Sequence, residues 1–183
     1  MTRKARQPEN KMDVLKTVCD ILKVGMSLEN DQIWIYNQKI DIPNDKRIYI
    51  VVSLKDEVVI GNNIETEHTE NGENEIVWTN LVSSVGIELF SYNVNALNRR
   101  YEVLSSMRST YSIQKQEELN FNIGRKPVAF FDSSFLAPSS RLYSFYFMYK
   151  ITHIENSTKK SVDFYSDFSR ADMSDKNNLK INQ

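Results

Sequence analysis

The stretch from Glu75 to Met107 constrains the fold most, because a long alternating strand ends near Asn93 and gives way at once to a helix. Val77, Leu81, Val85, Ile87 and Leu89 fall at odd positions, on one side of a pleat whose side-chain period is two. The other face carries Ile76, Trp78, Val82 and Phe90 mixed with Asn80, Ser84, Gly86 and Glu88, so part of it is covered and part is wet. A strand about three times the usual five or six residues is either bent or bulged near Val85-Gly86, or it extends beyond its own domain. The second alternative points to a subunit of a larger assembly. Asn93 or Asn95 can cap the helix that follows, with Leu97, Tyr101, Leu104 and Met107 or Arg108 defining its face. A strand running straight into a capped helix folds that helix back on the sheet.

Around this centre the chain reads as a sequence of short signals. From Lys11 to Met26 the positions Met12, Leu15, Cys19 and Leu22, joined by Val14, Val18 and Ile21, recur at helical spacing, with Gly25 as a stop and Ser27 to Asp31 as a loop. Gln32 to Tyr36 and Lys39 to Ile42 form a short strand pair or a bent strand, ended by Pro43-Asn44-Asp45. Lys46 to Leu54 is a central strand, apolar on both faces. Val58 to Ile60 reads as a strand end, Gly61-Asn62-Asn63 as a turn, and Ile64 to Asn74 as a projecting hairpin or mobile loop around Asn71-Gly72. Ser109 to Asn120 is helical or irregular, and Phe121 to Ile123 and Val128 to Phe131 are short extended pieces.

The last regular element, Arg141 to Ile154, places Tyr143, Phe145, Phe147, Tyr149 and Ile151 on one face. Such a row, like Trp78, is expected in the core or in a subunit contact; no basic residue lies between Leu142 and Tyr149 to suit a base-stacking platform. The expected fold is α+β: a mostly antiparallel sheet with a long hairpin, flanked by an N-terminal helix and a second helix. Residues 1–11 read as a flexible basic arm, 12–168 as one domain and 169–183 as a polar flexible tail.

Composition excludes several classes. With 183 residues the chain supports one core without a metal or disulfide, and its one cysteine, Cys19, fits a small buried hydrophobe in a reducing compartment. Neither a signal peptide nor a run of roughly 18 apolar residues is present, so a soluble intracellular product is expected, with no membrane contact. Charge is uneven: residues 1–98 hold 10 Lys/Arg and 15 Asp/Glu, residues 99–183 hold 13 and 9, and between Asp56 and Asn98 there is no cation at all. That acidic block, with Glu65, Glu67, Glu70 and Glu73, is a solvated loop or a surface that repels DNA or meets a basic partner such as one carrying Arg99 and Arg100. His68 and His153 lack metal-ligand spacing, the five glycines form no phosphate loop, and no serine sits in a nucleophile elbow. No catalytic residue, cofactor or metal is expected. A nuclease with scattered carboxylates and a nucleic-acid-binding module are the rival classes.

The order helix, strands, long hairpin, long strand, helix, aromatic strand resembles the tail-terminator and neck-completion proteins of tailed bacteriophages. The resemblance rests on residues 12–26, Lys46-Arg47-Ile48-Tyr49-Ile50-Val51-Val52, Ile87-Glu88-Leu89-Phe90-Ser91-Tyr92 followed by Leu97-Asn98-Arg99-Arg100-Tyr101-Glu102-Val103-Leu104, and Arg141-Leu142-Tyr143-Ser144-Phe145-Tyr146-Phe147. It covers about residues 12–155 and consists of patterns without an invariant signature. It implies a virion subunit, assembled in the host cytoplasm into a ring, typically of six copies. That ring meets tail-tube and connector or portal-side proteins, with DNA passing through as cargo. On that view Glu65, Glu67, Glu70, Glu73, Arg99 and Arg100 lie at or near subunit boundaries. A head-to-tail joining or tail-completion subunit is the alternative within the same class.

Overall fold

The computed structural model describes residues 13–36, 43, 45–69, 72–136 and 141–160; the basic arm, the polar tail and the side chains of 67–69, 72–73 and 159–160 lie outside that description. Among the described residues the architecture is α+β, three α-helices with a seven-stranded, mostly antiparallel sheet. The described residues divide into two compact units, one within 13–62 and 79–155 and one within 63–78 and 156–160.

In the first unit, helix α1 (Val14–Met26) starts where the Asp13 carboxylate accepts from the Lys16 amide at 3.1 Å. Its stripe Val14, Val18, Ile21, Leu22 and Met26 is buried. Gly25 does not stop it: the helix runs on to Met26 and ends at Ser27, which adopts a left-handed φ of 54°. The glycine serves a different purpose. A Cβ at Gly25 would lie 2.5 Å from the Ser106 Cβ, so its absence lets helix α2 (Asn95–Ser106) pack close.

That close approach also sets the face of α2. Ala96, Val103 and Ser106 are buried, with Met107 just beyond the helix, whereas Tyr101 of the expected face is more than half exposed. The cap differs too: the N-cap is Val94, and Asn93 contributes by accepting from the Asn95 amide at 3.1 Å. Helix α3 (Thr110–Leu119) follows, capped by the Ser109 hydroxyl.

The sheet order is β1 (Ile33–Ile35), β2 (Tyr49–Thr69), β3 (Gly72–Ser91) and β7 (Arg141–Lys160). Beyond β7 its far side is lined in pieces by β4 (Asn122–Ile123), β5 (Ala129–Asp132) and β6 (Phe135–Leu136). β1 joins β2 in parallel, Ile33 opposite Ile50 and Ile35 opposite Val52, while β4, β5 and β6 are antiparallel to β7. Ile48, Ile50 and Val52, then Val85, Ile87 and Leu89, then Phe145, Phe147, Tyr149 and Ile151 form the helix side of the core. On the opposite face Trp34, Tyr49 and Phe90 stack in series with Val51 and Leu142.

β2 departs from the expected pattern. Gly61-Asn62-Asn63 is not a turn but the middle of a 21-residue strand, because pairing with β3 overrides local turn preference. Farther along the strand the Glu57 carboxylate accepts from the Ser83 hydroxyl of β3 at 2.6 Å. Gly86 makes room: a Cβ there would lie 2.7 Å from the Tyr146 hydroxyl.

The second unit holds the distal parts of β2 and β3 and the end of β7. Ile64 there is 61% exposed, and the Trp78 indole N–H is buried with no acceptor among the described residues. Glu70 and Asn71, between the two hairpin strands, lie outside the described residues.

Candidate functional site

β1 covers the outer edge of β2 only to Val52, where the Tyr36 amide closes the ladder on the Val52 carbonyl at 3.0 Å. Among the described residues no strand pairs with that edge from Ser53 onward. Here the chain reads Lys55-Asp56-Glu57-Val58-Val59-Ile60, and Val58, Val59 and Ile60 are 49%, 56% and 59% exposed. Neighbours on a strand point to opposite faces, so both sides of this edge are apolar and bare. A long apolar edge with free N–H and C=O groups is a template for another strand.

The opposite border of the sheet has the same character. β5 pairs with β7 along one side, Phe130 opposite Phe147 and Phe131 opposite Tyr146, and no described strand covers its other side. Phe130 stacks on Phe147 at 4.8 Å and tilts against Tyr101; Phe131 stacks on Tyr146 at 4.8 Å on the other face. Both rings remain about half exposed, as do Val128 and Phe135, and Leu136 is 83% exposed. The exposed Arg125 and Lys126 precede the strand. Asp132 closes it, its carboxyl held below the usual range by hydrogen bonds from Ser134 and by Arg141 and Arg100.

One buried polar cluster needs a chemical reading. His153, 2% exposed, sets Nε2 2.8 Å from the Ser83 hydroxyl, which donates to Glu57 at 2.6 Å. The Ser83 hydroxyl donates towards the Glu57 carboxylate, and it accepts from His153 Nε2 in the tautomer that carries its hydrogen there. The other nitrogen, Nδ1, is buried without a partner among the described residues. The cluster therefore works as a cross-strand tie joining β2, β3 and β7. A cavity of about 440 Å³ beside it is lined by Asp13, Lys16, Leu54, Glu57 and Glu155 among others. Among the described residues no group of three or more His, Cys, Asp or Glu gathers as a metal set. Likewise, no helix among them is long and apolar enough to cross a membrane.

The residues expected at subunit boundaries are placed unequally. Glu65 is exposed on β2, whereas Glu70 and the side chains of Glu67 and Glu73 lie outside the described residues. Arg99 is engaged within the fold: it grips both oxygens of Glu102 and donates to the Met26 carbonyl at 2.7 Å, tying α2 to the end of α1. Arg100 lies over Tyr101 and Phe145, centroids 4.7 and 5.3 Å away. Of the aromatic row, Phe145, Phe147 and Tyr149 are buried core and Tyr143 packs partly buried against it. The two bare edges were not singled out in the sequence; the run Val58-Val59-Ile60 was the available signal. No family model matches the chain, and no curated protein matches it.

Proposed function

We propose that the chain is a structural virion protein of a tailed bacteriophage, a tail-terminator or neck ring subunit that joins tail to head connector and lets DNA pass through. The observation that carries this reading is the pair of bare apolar edges on opposite borders of one sheet. A chain with two such edges is suited to self-association through unlike surfaces, the geometry that closes into a ring. Two further features support it. The element order, N-terminal helix, mostly antiparallel sheet and a strand running from Ser91 into a helix at Asn95, is the order on which the phage resemblance rests. The segment Asp56 to Asn98 carries no cation, as suits a wall past which DNA slides without sticking.

A nucleic-acid platform is less well supported, because the best aromatic row is packed in the core and offers no stacking face. A head-to-tail joining or tail-completion subunit would use the same edges and differ only in its neighbours. The test is native mass spectrometry across a concentration series. One closed oligomer, with six copies expected, supports the reading; an open ladder of sizes or a monomer at every concentration counts against it.

A further inference from the structure

We propose that copies of the chain join by continuing the sheet, the edge Lys55–Asn62 of β2 in one copy pairing antiparallel with the outer edge of β5 in the next. This rests on the ring reading above and names the contact that would build it. The first ground is exposure on both faces of both edges. Val58, Val59 and Ile60 on β2, and Phe130 and Phe131 on β5, leave apolar surface bare above and below the sheet. Strand pairing covers both faces at once, whereas docking on a single face would leave half of these side chains in water.

Strand direction supplies the second ground. Ser91 lies against Arg47 and Ser83 against Glu57, so β3 runs antiparallel to β2; Glu88 lies against Ser144 and Ser83 against His153, so β7 runs antiparallel to β3. β5 is antiparallel to β7 in turn. It therefore runs opposite to β2, and a copy added in the same orientation presents its β2 antiparallel to it.

Charge gives the third ground and selects the same direction. Antiparallel pairing of Ala129–Asp132 with Val58–Gly61 sets Arg125 and Lys126 towards the end of β2 that carries Glu65, and sets Asp132 towards Lys55. A parallel pairing over the same residues would instead bring Lys126 beside Lys55. Charges at the rim fix register and partner choice more than strength. Self-pairing of two β2 edges would give a closed dimer and leave β5 bare.

The test uses full-length chains carrying Cys19→Ser with either Ile60→Cys or Phe130→Cys. Mixed and oxidised, they are expected to give a disulfide-linked pair that neither gives alone. Charge exchange offers a second measurement on surface residues that leave folding intact. Arg125→Glu or Glu65→Lys alone should weaken assembly about tenfold, and the two together should restore it. Cross-linking of Ile60→Cys chains with one another overturns the proposal. So does a closed ring with no mixed cross-link and no rescue, which would leave the ring reading intact. A chain that is monomeric at every concentration overturns both.

Discussion

Replacing Gly25 by alanine separates two effects of opposite sign. In an isolated helix the change stabilises by roughly 0.8–1.0 kcal/mol, because glycine gives up more backbone freedom. In this structure the new Cβ would collide with the Ser106 Oγ and lie 2.5 Å from its Cβ and 3.0 Å from its Cα. Carbon atoms rest at about 3.5–4.0 Å, so α2 must retreat by an ångström or more. It cannot do so cheaply. Arg99 holds it to the Met26 carbonyl, and Val103 and Met107 are fully packed. Overpacking of this kind costs about 1–3 kcal/mol and occasionally more, so after the propensity gain the net expected effect is a destabilisation of up to about 2 kcal/mol. For a chain of this size that is a fall in Tm of up to roughly 8 °C, at about 2–4 °C per kcal/mol. Thermal unfolding of wild type, Gly25→Ala and Gly25→Ala with Ser106→Gly reads it directly. The second substitution removes both the Cβ and Oγ in conflict and should recover part of the loss. A rise in Tm for Gly25→Ala alone, the size of the propensity gain, would refute close packing of α1 on α2.

Three further predictions follow from packing and charge. Phe147→Ala, at a fully buried ring stacked on Phe130, should cost about 3–5 kcal/mol in urea unfolding, whereas Phe130→Ala should cost far less because that ring is half bare. Burial, with Asp20 and Asp13 nearby, pushes the Cys19 thiol up to about 12, so alkylation of the folded chain at pH 8 should be much slower than after denaturation; equal rates would contradict it. The Asp45 carboxyl is held below its ordinary value by the Tyr49 hydroxyl and by Arg47, so its contribution to stability is present above the unfolded value and is lost as pH falls through the folded one. Asp45→Asn should flatten that acid limb; an unchanged limb would show that the pairing with Tyr49 and Arg47 does not persist in solution.

What the sequence disclosed was what a period of two or of 3.6 can carry. The buried face of β7 was legible because Phe145, Phe147, Tyr149 and Ile151 recur at every second position, and the stripe of α1 because Val14, Val18, Ile21 and Leu22 recur at helical spacing. The continuation of β2 through Gly61-Asn62-Asn63 was not, because turn residues carry a local preference that only the partner strand overrides. Periodicity could not show that Val58-Val59-Ile60 is bare, since an apolar run reads alike whether it is covered or exposed. The Glu57–Ser83–His153 tie joins residues 26 and 70 positions apart, beyond any local pattern. Gly25 was legible as a special position, but not as a helix contact, because the Ser106 it faces lies on a separate helix.

The proposed ring role is read most directly by electron cryomicroscopy of phage particles produced with the gene for this chain intact and deleted. Expected under the proposed role are a closed ring of its copies at the head-proximal end of the tail, around the DNA channel, and particles without the chain whose tails fail to join heads or run past their normal length. Normal joined particles in its absence, with no copy of the chain in the virion, would contradict it.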